Sequence, residues 1–211
     1  MSEGTAGRKR GRYAATDAKR EGIIAAARTV FEREGLDGAS LRAIAAEAGY
    51  TPAALYFHFD SKEALYAEVL GRSIATLQEA VDAAVTVAGT PAERFAAAAL
   101  AFFDFYAENP RDLDLGFYLF RGGMRPHGLG RERDRALNEA LEATLAPIRE
   151  AALALGADAA QADLIMTDAF AHASGVLLLA HTRRIRMFGA SPRALMERHV
   201  ETELDRLLEK P

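Results

Sequence analysis

Ser40-Leu41-Arg42-Ala43-Ile44-Ala45-Ala46-Glu47-Ala48-Gly49-Tyr50-Thr51-Pro52-Ala53-Ala54-Leu55-Tyr56-Phe57-His58-Phe59 reads as two short helices joined by a glycine turn. Ser40 precedes a stretch in which Leu41, Ile44, Ala45 and Ala48 recur at helical spacing, which makes Ser40 the N-cap and those four the buried stripe. Gly49 suits the left-handed conformation that ends a helix. Two residues on, Thr51 offers a side-chain oxygen to the first amides of a new helix, and Pro52 fits its first position. At about 100° per residue from Leu55, Phe59 lies near 40°, whereas Ala53 and Phe57 lie near 160° and 200° on the opposite face. Leu55 and Phe59 are therefore expected in the core, and Ala53, Ala54, Tyr56 and Phe57 outside it. Two alanines and an aromatic pair facing water on so short a helix have no folding rationale unless something large covers them. Asp60-Ser61-Lys62-Glu63 supplies an acceptor with Glu three residues later, a capping box for the next helix that also holds Lys62 beside the outward face.

Two short helices in this arrangement are a helix-turn-helix, and the natural cover for the second is the major groove of DNA. The stretch resembles the DNA-binding domain of the TetR family of transcriptional regulators, whose signature ends in Leu-Tyr-x-His-Phe-x-x-Lys-x-x-Leu. Here that run is Leu55, Tyr56, His58, Phe59, Lys62 and Leu65, and upstream the match takes in Ile23, Ala26, Ala27, Phe31, Gly35 and Leu36, about a quarter of the chain. The resemblance implies that Tyr56, His58 and Lys62 touch phosphates, while Thr51 and the outward face of residues 53 to 57, including Ala53, Ala54 and Phe57, meet base edges. Family members often carry Tyr or Trp where this chain has Phe57. Lacking a hydroxyl, Phe57 is limited to apolar contact such as a thymine methyl.

With 211 residues, half of them apolar, the chain is long enough for a small reader domain and one larger core, and the lack of cysteine excludes disulfides and thiolate metal sites. No apolar run reaches the roughly 18 residues needed to cross a bilayer, and the N-terminus lacks the apolar core of a signal peptide, so a cytoplasmic protein without membrane partners is expected. The net charge of −4 is uneven: residues 8 to 20 hold six basic side chains against Asp17, a local balance of +5. Local charge, not net charge, steers binding to phosphate. Residues 1–16 read as a disordered basic arm, either a solubilising tail or a segment whose Arg10 and Arg12 enter a minor groove. Helix one is expected over Asp17 to Glu34. Arg42 reads as a base or phosphate contact, or as an ordinary solvated arginine.

The domain assignment is residues 17–62 for the helix-turn-helix and 63–211 for a larger domain. Helix four is expected from about Ser61 to Ala88, helix five from the Thr90-Pro91-Ala92-Glu93 cap to Asn109, and a short aromatic helix to about Phe120. A glycine-rich loop over 122–130 precedes helix seven, which Pro147 should kink. Asp158 and Gln161 suit a capping box for helix eight, and Ser191-Pro192 opens helix nine, ending near Leu208. The fold class is all-α with about nine helices.

Eight of the seventeen aromatics fall within residues 95 to 120, and Phe102, Phe103, Phe105 and Tyr106 cover more than one helix face. Such a helix is buried on several sides or lines a cavity. As a cavity, it would draw on Phe102, Phe103, Tyr106, Phe117 and Tyr118, with Arg121, Met124, His127, Phe170 and His172 around them, to hold a small, largely apolar effector; a plain aromatic core is the other reading. The resemblance favours the cavity, since family members usually bind a small molecule in their second domain. It also places a four-helix dimer interface in the last two helices, through Ala173, Val176, Leu177 and Ala180 on helix eight and Leu195, Val200, Leu204 and Leu207 on helix nine. Completion of one monomer's core is the alternative.

Catalytic signals are weak. Asp168 and His172 share a helix face but lack an evident third ligand, so a buried hydrogen-bonded pair is expected ahead of a ligand contact or a metal, and no cofactor is implied. The glycines of 122–130 lack a Gly-Lys-Ser/Thr end and follow no strand. The function expected is a homodimeric regulator that binds a palindromic operator in double-stranded DNA and is released by its effector. An activator or corepressor-dependent member of the family, or an α-helical carrier or enzyme with a vestigial helix-turn-helix, are the alternatives.

Overall fold

The computed structural model describes residues 3–116 and 128–209, with side chains from residue 16 onward. Among them there is no strand. The chain divides into two units: Met1–Arg72 with Asp114–Arg135, and Ser73–Leu113 with Ala136–Pro211.

In the first unit, α1 (Glu3–Gly38) starts fourteen residues before Asp17, where a disordered arm was expected up to residue 16. The arm has no apolar stripe, but its alanines, arginines and lysine are good helix formers, and extending an existing helix costs far less than nucleating one. Gly35, at φ 71° and ψ 177°, breaks the helical geometry where the sequence puts the end of helix one. Ile23, Ile24, Ala26, Ala27, Val30 and Phe31 are its buried side. In α2 (Leu41–Glu47) the Ser40 hydroxyl accepts from the Ala43 amide at 3.1 Å; Ile44 and Ala45 are buried and Leu41 and Ala48 partly so. Gly49 takes φ 72°, and the Tyr50 amide closes back onto the Ala45 carbonyl at 2.8 Å, so the helix ends within one turn of its last core residue. In α3 (Pro52–Tyr56) the Thr51 hydroxyl accepts from the Ala54 amide at 3.3 Å.

α4 (Lys62–Thr86) is capped by Ser61, whose hydroxyl accepts from the Ala64 amide at 3.1 Å, and not by Asp60 as the sequence suggested. With the cap one residue later, Glu63 is no longer at the third helical position and the capping box is lost; Asp60 instead faces Arg133 at 3.5 Å. Phe31 meets Tyr66 edge to face at 4.8 Å, and the Tyr66 hydroxyl donates to the Leu115 carbonyl at 2.8 Å.

In the second unit, α5 (Pro91–Glu108) has the expected capping box of Thr90 and Glu93. α6 (Pro110–Gly116) follows; its expected extension to Phe120, like most of the glycine-rich loop, lies outside the described residues. α7 (Arg131–Ala154) contains Pro147, α8 (Ala159–His181) opens on the Asp158–Gln161 capping box, and α9 (Pro192–Leu208) is capped by Ser191. Between the last two, Arg184–Phe188 forms a 3-10 turn that the sequence reading missed.

α8 packs against both α5 and α9. By length and composition alone it would suffice to cross a membrane, a weak signal that the core helix of a folded unit also gives, and Asp163 and Asp168 interrupt its apolar run, as the sequence reading expected. Its apolar residues have a use inside the folded unit: Ala162, Ala169, Ala173, Val176 and Leu177 are buried in one arc of the helix.

Candidate nucleic-acid interface

The outward face of α3 is as its helical period requires. Leu55 is fully buried and Phe59 nearly so, while Ala53 and Ala54 are exposed, Tyr56 is 59% exposed and Phe57 81%. The Phe57 ring stands on edge against the His58 ring at 5.3 Å. Beside them is a surface concavity of about 230 Å³ lined by Thr16, Lys19 and Ile23 of α1 and by Tyr50, Ala54, Phe57 and His58. Thr16, Lys19 and Tyr50 were not among the residues singled out from sequence; Lys19 belongs to the basic segment, but nothing in the pattern says which of those cations lies next to α3.

A large exposed apolar surface is thus flanked by a short list of donors: the Thr51, Tyr56 and Tyr50 hydroxyls, the His58 ring and Lys19. Arg42 is exposed on α2 and forms no ion pair with any described residue. The side chains of Arg10 and Arg12 lie outside the described residues.

Lys62 is less available than the sequence suggested. Its ammonium donates to the Leu36 carbonyl at 2.9 Å and lies 3.5 Å from that of Asp37, so it closes the carbonyl end of α1 before it meets any phosphate. Around it α1 and α4 are braced by charge. Arg20 pairs with Glu68 at 2.8 Å and sits 5.3 Å from the centre of the Phe59 ring, and Arg72 pairs with Glu21 at 2.7 Å and with Glu68 at 3.5 Å. The hydrogen bond from Arg20 holds the Glu68 carboxyl below its ordinary value, and that from Arg72 does the same for Glu21. These bonds tie α1 to α4, and Arg20 reaches Phe59 just beyond α3.

In the second unit Phe102, Phe103 and Tyr106 are buried. Phe102 meets Tyr106 at 5.2 Å and Phe170 at 5.9 Å, both edge to face, and burial pushes the Tyr106 phenol well above its ordinary value. These rings pack on one another as a core does. Phe117, Tyr118, Arg121, Met124 and His127 lie outside the described residues. His172 is half-buried, its Nε2 3.3 Å from the Leu195 carbonyl, and its ring stacks on His199 at 4.1 Å.

Asp168 does not form the buried pair with His172 expected from their spacing, because its side chain is exposed. It joins His199 and Glu203 of α9, all three offering ligand atoms within 4.8 Å of one another. Burial, and then the neighbouring His172, hold His199 below its ordinary value.

Five of the eight residues expected at a dimer interface, Ala173, Val176, Leu177, Val200 and Leu207, are buried inside the unit, and Ala180, Leu195 and Leu204 are half-buried. α8 is apolar nearly all round, so the pattern does not say which side faces inward. The side left open carries Leu164, 69% exposed, with Ala171, Gly175 and Leu178, 54% exposed.

Residues 23–69 match the model of the bacterial regulatory proteins of the tetR family. The HTH-type transcriptional activator FasR of Mycolicibacterium smegmatis is 35% identical over 111 residues, 53% of this chain and 51% of that protein. The HTH-type transcriptional repressor BepR of Brucella suis is 41% identical over 54 residues, 26% of each chain. The matches therefore span about half and about a quarter of those relatives' lengths. Among solved structures, the transcriptional regulator FadR from Bacillus subtilis in complex with stearoyl-CoA superposes with a TM-score of 0.67 at 18% identity, over 90% of this chain and 97% of that one. A protein of unknown function from Rhodococcus sp. RHA1 gives 0.69 at 28% identity, over 87% and 92%.

Proposed function

We propose that this chain, a member of the TetR family of bacterial regulatory proteins, is a homodimeric transcriptional repressor whose hold on a palindromic operator is released by a small, largely apolar effector. The observation that carries the reading is the exposed face of Ala53, Ala54, Tyr56 and Phe57 on a helix anchored by Leu55 and Phe59. That surface matches a major groove, where alanines and an aromatic edge meet thymine methyls and Tyr56 and His58 reach the backbone. Few hydrogen-bonding side chains line it. Specificity then leans on apolar contacts, on Arg42 and on the spacing of the two half-sites.

The second copy sits on the open side of α8. Leu164, Ala171 and Leu178 recur every seven residues along it, and a Cβ added at Gly175 between them meets nothing within 4 Å, so another helix can approach closely there. α4 runs unbroken from Lys62 to Thr86, through the point where the chain passes from the first unit to the second, so an effector bound in the second unit acts on the reading head through one rigid element. Such an effector must bind the two half-site spacings with different affinity, because equal affinity shifts nothing. Bacillus FadR holds stearoyl-CoA, which makes long-chain acyl thioesters the first effector class to try. The relative named as an activator supports a second reading, in which the same DNA binding recruits transcription instead of blocking it.

The test is fluorescence anisotropy on DNA flanking the gene, in a salt series with and without acyl-CoA. Operator binding that weakens steeply with salt, and further with acyl-CoA, is the expected result. Binding indifferent to DNA sequence overturns the reading, and acyl-CoA without effect removes that effector class.

A further inference from the structure

The side chains brought together where α8 meets α9 have no part in the DNA-binding reading above. His199 and Glu203 are four residues apart on α9 and so share a face, and Asp168 of α8 completes the set, with all three ligand atoms within 4.8 Å of one another. Glu203 is only 7% exposed, an unusual place for a carboxylate. The Nε2 atom of His199 is buried and has no hydrogen-bond partner among the described residues. A buried imidazole nitrogen without a partner calls for an explanation, and an imidazole set beside two carboxylates is an arrangement a cation would satisfy. Asp168, by contrast, is exposed and gives the cluster an edge open to solvent.

We infer that Asp168, His199 and Glu203 form a binding site for a divalent transition-metal ion of the zinc class. Two carboxylates and one imidazole neutralise a divalent cation, and the mixture of one nitrogen with two oxygen donors suits zinc or cobalt better than calcium or magnesium, which prefer oxygen alone. Three protein ligands leave at least one position for water or an exogenous group. Ligand atoms around such an ion stand about 3–3.5 Å apart, a contraction within reach of side-chain rotation. His172 is the positioning residue: its Nε2–H donates to the Leu195 carbonyl, and its ring lies parallel to that of His199, fixing the plane of the ligand imidazole. Arg206, with its side chain 68% exposed, donates to Glu203 and stands in for the cation's charge when no metal is bound.

The site draws on two helices of one chain, and its test does not require DNA or an effector. It is tested by titrating tag-free protein with Co²⁺, following its visible absorption, and by calorimetry with Zn²⁺. One ion per chain is expected, with Asp168→Asn and His199→Ala each weakening it about tenfold or more. Asp168 is exposed, so that variant folds. Arg206→Ala releases Glu203 from its competitor and is expected to tighten binding, a gain that misfolding does not produce. No stoichiometric binding up to millimolar metal, equal affinity in Asp168→Asn, or weaker binding in Arg206→Ala each overturns the inference.

Discussion

The ammonium of Lys62 lies 2.9 Å from the carbonyl oxygen of Leu36, so the residue that the DNA-binding signature reserves for phosphate also joins α4 to the end of α1. A charged donor on a part-buried carbonyl contributes more than an ordinary surface contact. Lys62→Met, which keeps the stem and removes the charge, is expected to destabilise the chain by about 1–2 kcal/mol as well as weaken DNA binding. Urea unfolding followed by circular dichroism separates the two effects, and an unchanged midpoint would show that the bond to Leu36 contributes nothing.

Phe57 and Leu55 are two residues apart with opposite fates. Leu55→Ala empties a fully buried site and should cost about 2–5 kcal/mol. Phe57→Ala removes a ring that is 81% exposed and should leave stability within about 0.5 kcal/mol while weakening operator binding. If Phe57→Ala binds the operator as tightly as the wild type, the α3 face is not the reading surface.

Arg42 is exposed at the start of α2, where the proposed DNA binding would use it as a base or a phosphate contact. Arg42→Ala should weaken operator binding by about 1–3 kcal/mol and relax preference at one base position. A uniform loss across all sequences would assign it to the backbone instead.

Glu68 links acidity to stability. Its carboxyl is held below its ordinary value first by the hydrogen bond from Arg20, so the folded-state pKa lies under the unfolded one. The stabilisation is complete above the unfolded pKa of about 4.3 and is lost as the pH falls through the folded value. Because both partners are about a third exposed, Glu68→Gln should cost only about 0.5–1 kcal/mol at pH 7. The gap between variant and wild type should close on acidification; a gap constant in pH argues against an ionised pair.

The open side of α8 gives the proposed dimer its own test. Leu164→Glu or Leu178→Glu should yield a folded monomer in sedimentation at micromolar concentration, because neither side chain is in the core. Leu177→Glu, at a fully buried position, should unfold the chain instead. Dimers persisting in both surface variants would place the interface elsewhere.

The sequence by itself determined what depends on neighbours a few residues apart. Ser40, Thr51, Thr90, Asp158 and Ser191 cap the helices where their spacing says they should, since a cap is a bond between a side chain and an amide two or three positions on. The inward and outward faces of α3 follow from the helical period in the same way. That local logic stopped at Ser61, where two acceptors lie side by side, and at the basic segment, whose helix has no apolar stripe to reveal it. The tertiary structure alone decided the rest. It chose which side of the apolar α8 was buried, putting Val176 and Leu177 inside and leaving Leu164 and Leu178 exposed. It gave Lys62 a backbone partner 26 residues away and set His199 and Glu203 of α9 beside Asp168 of α8. Helical period fixes directions around one axis, whereas the rotation of that axis against its neighbours is settled only when the helices pack.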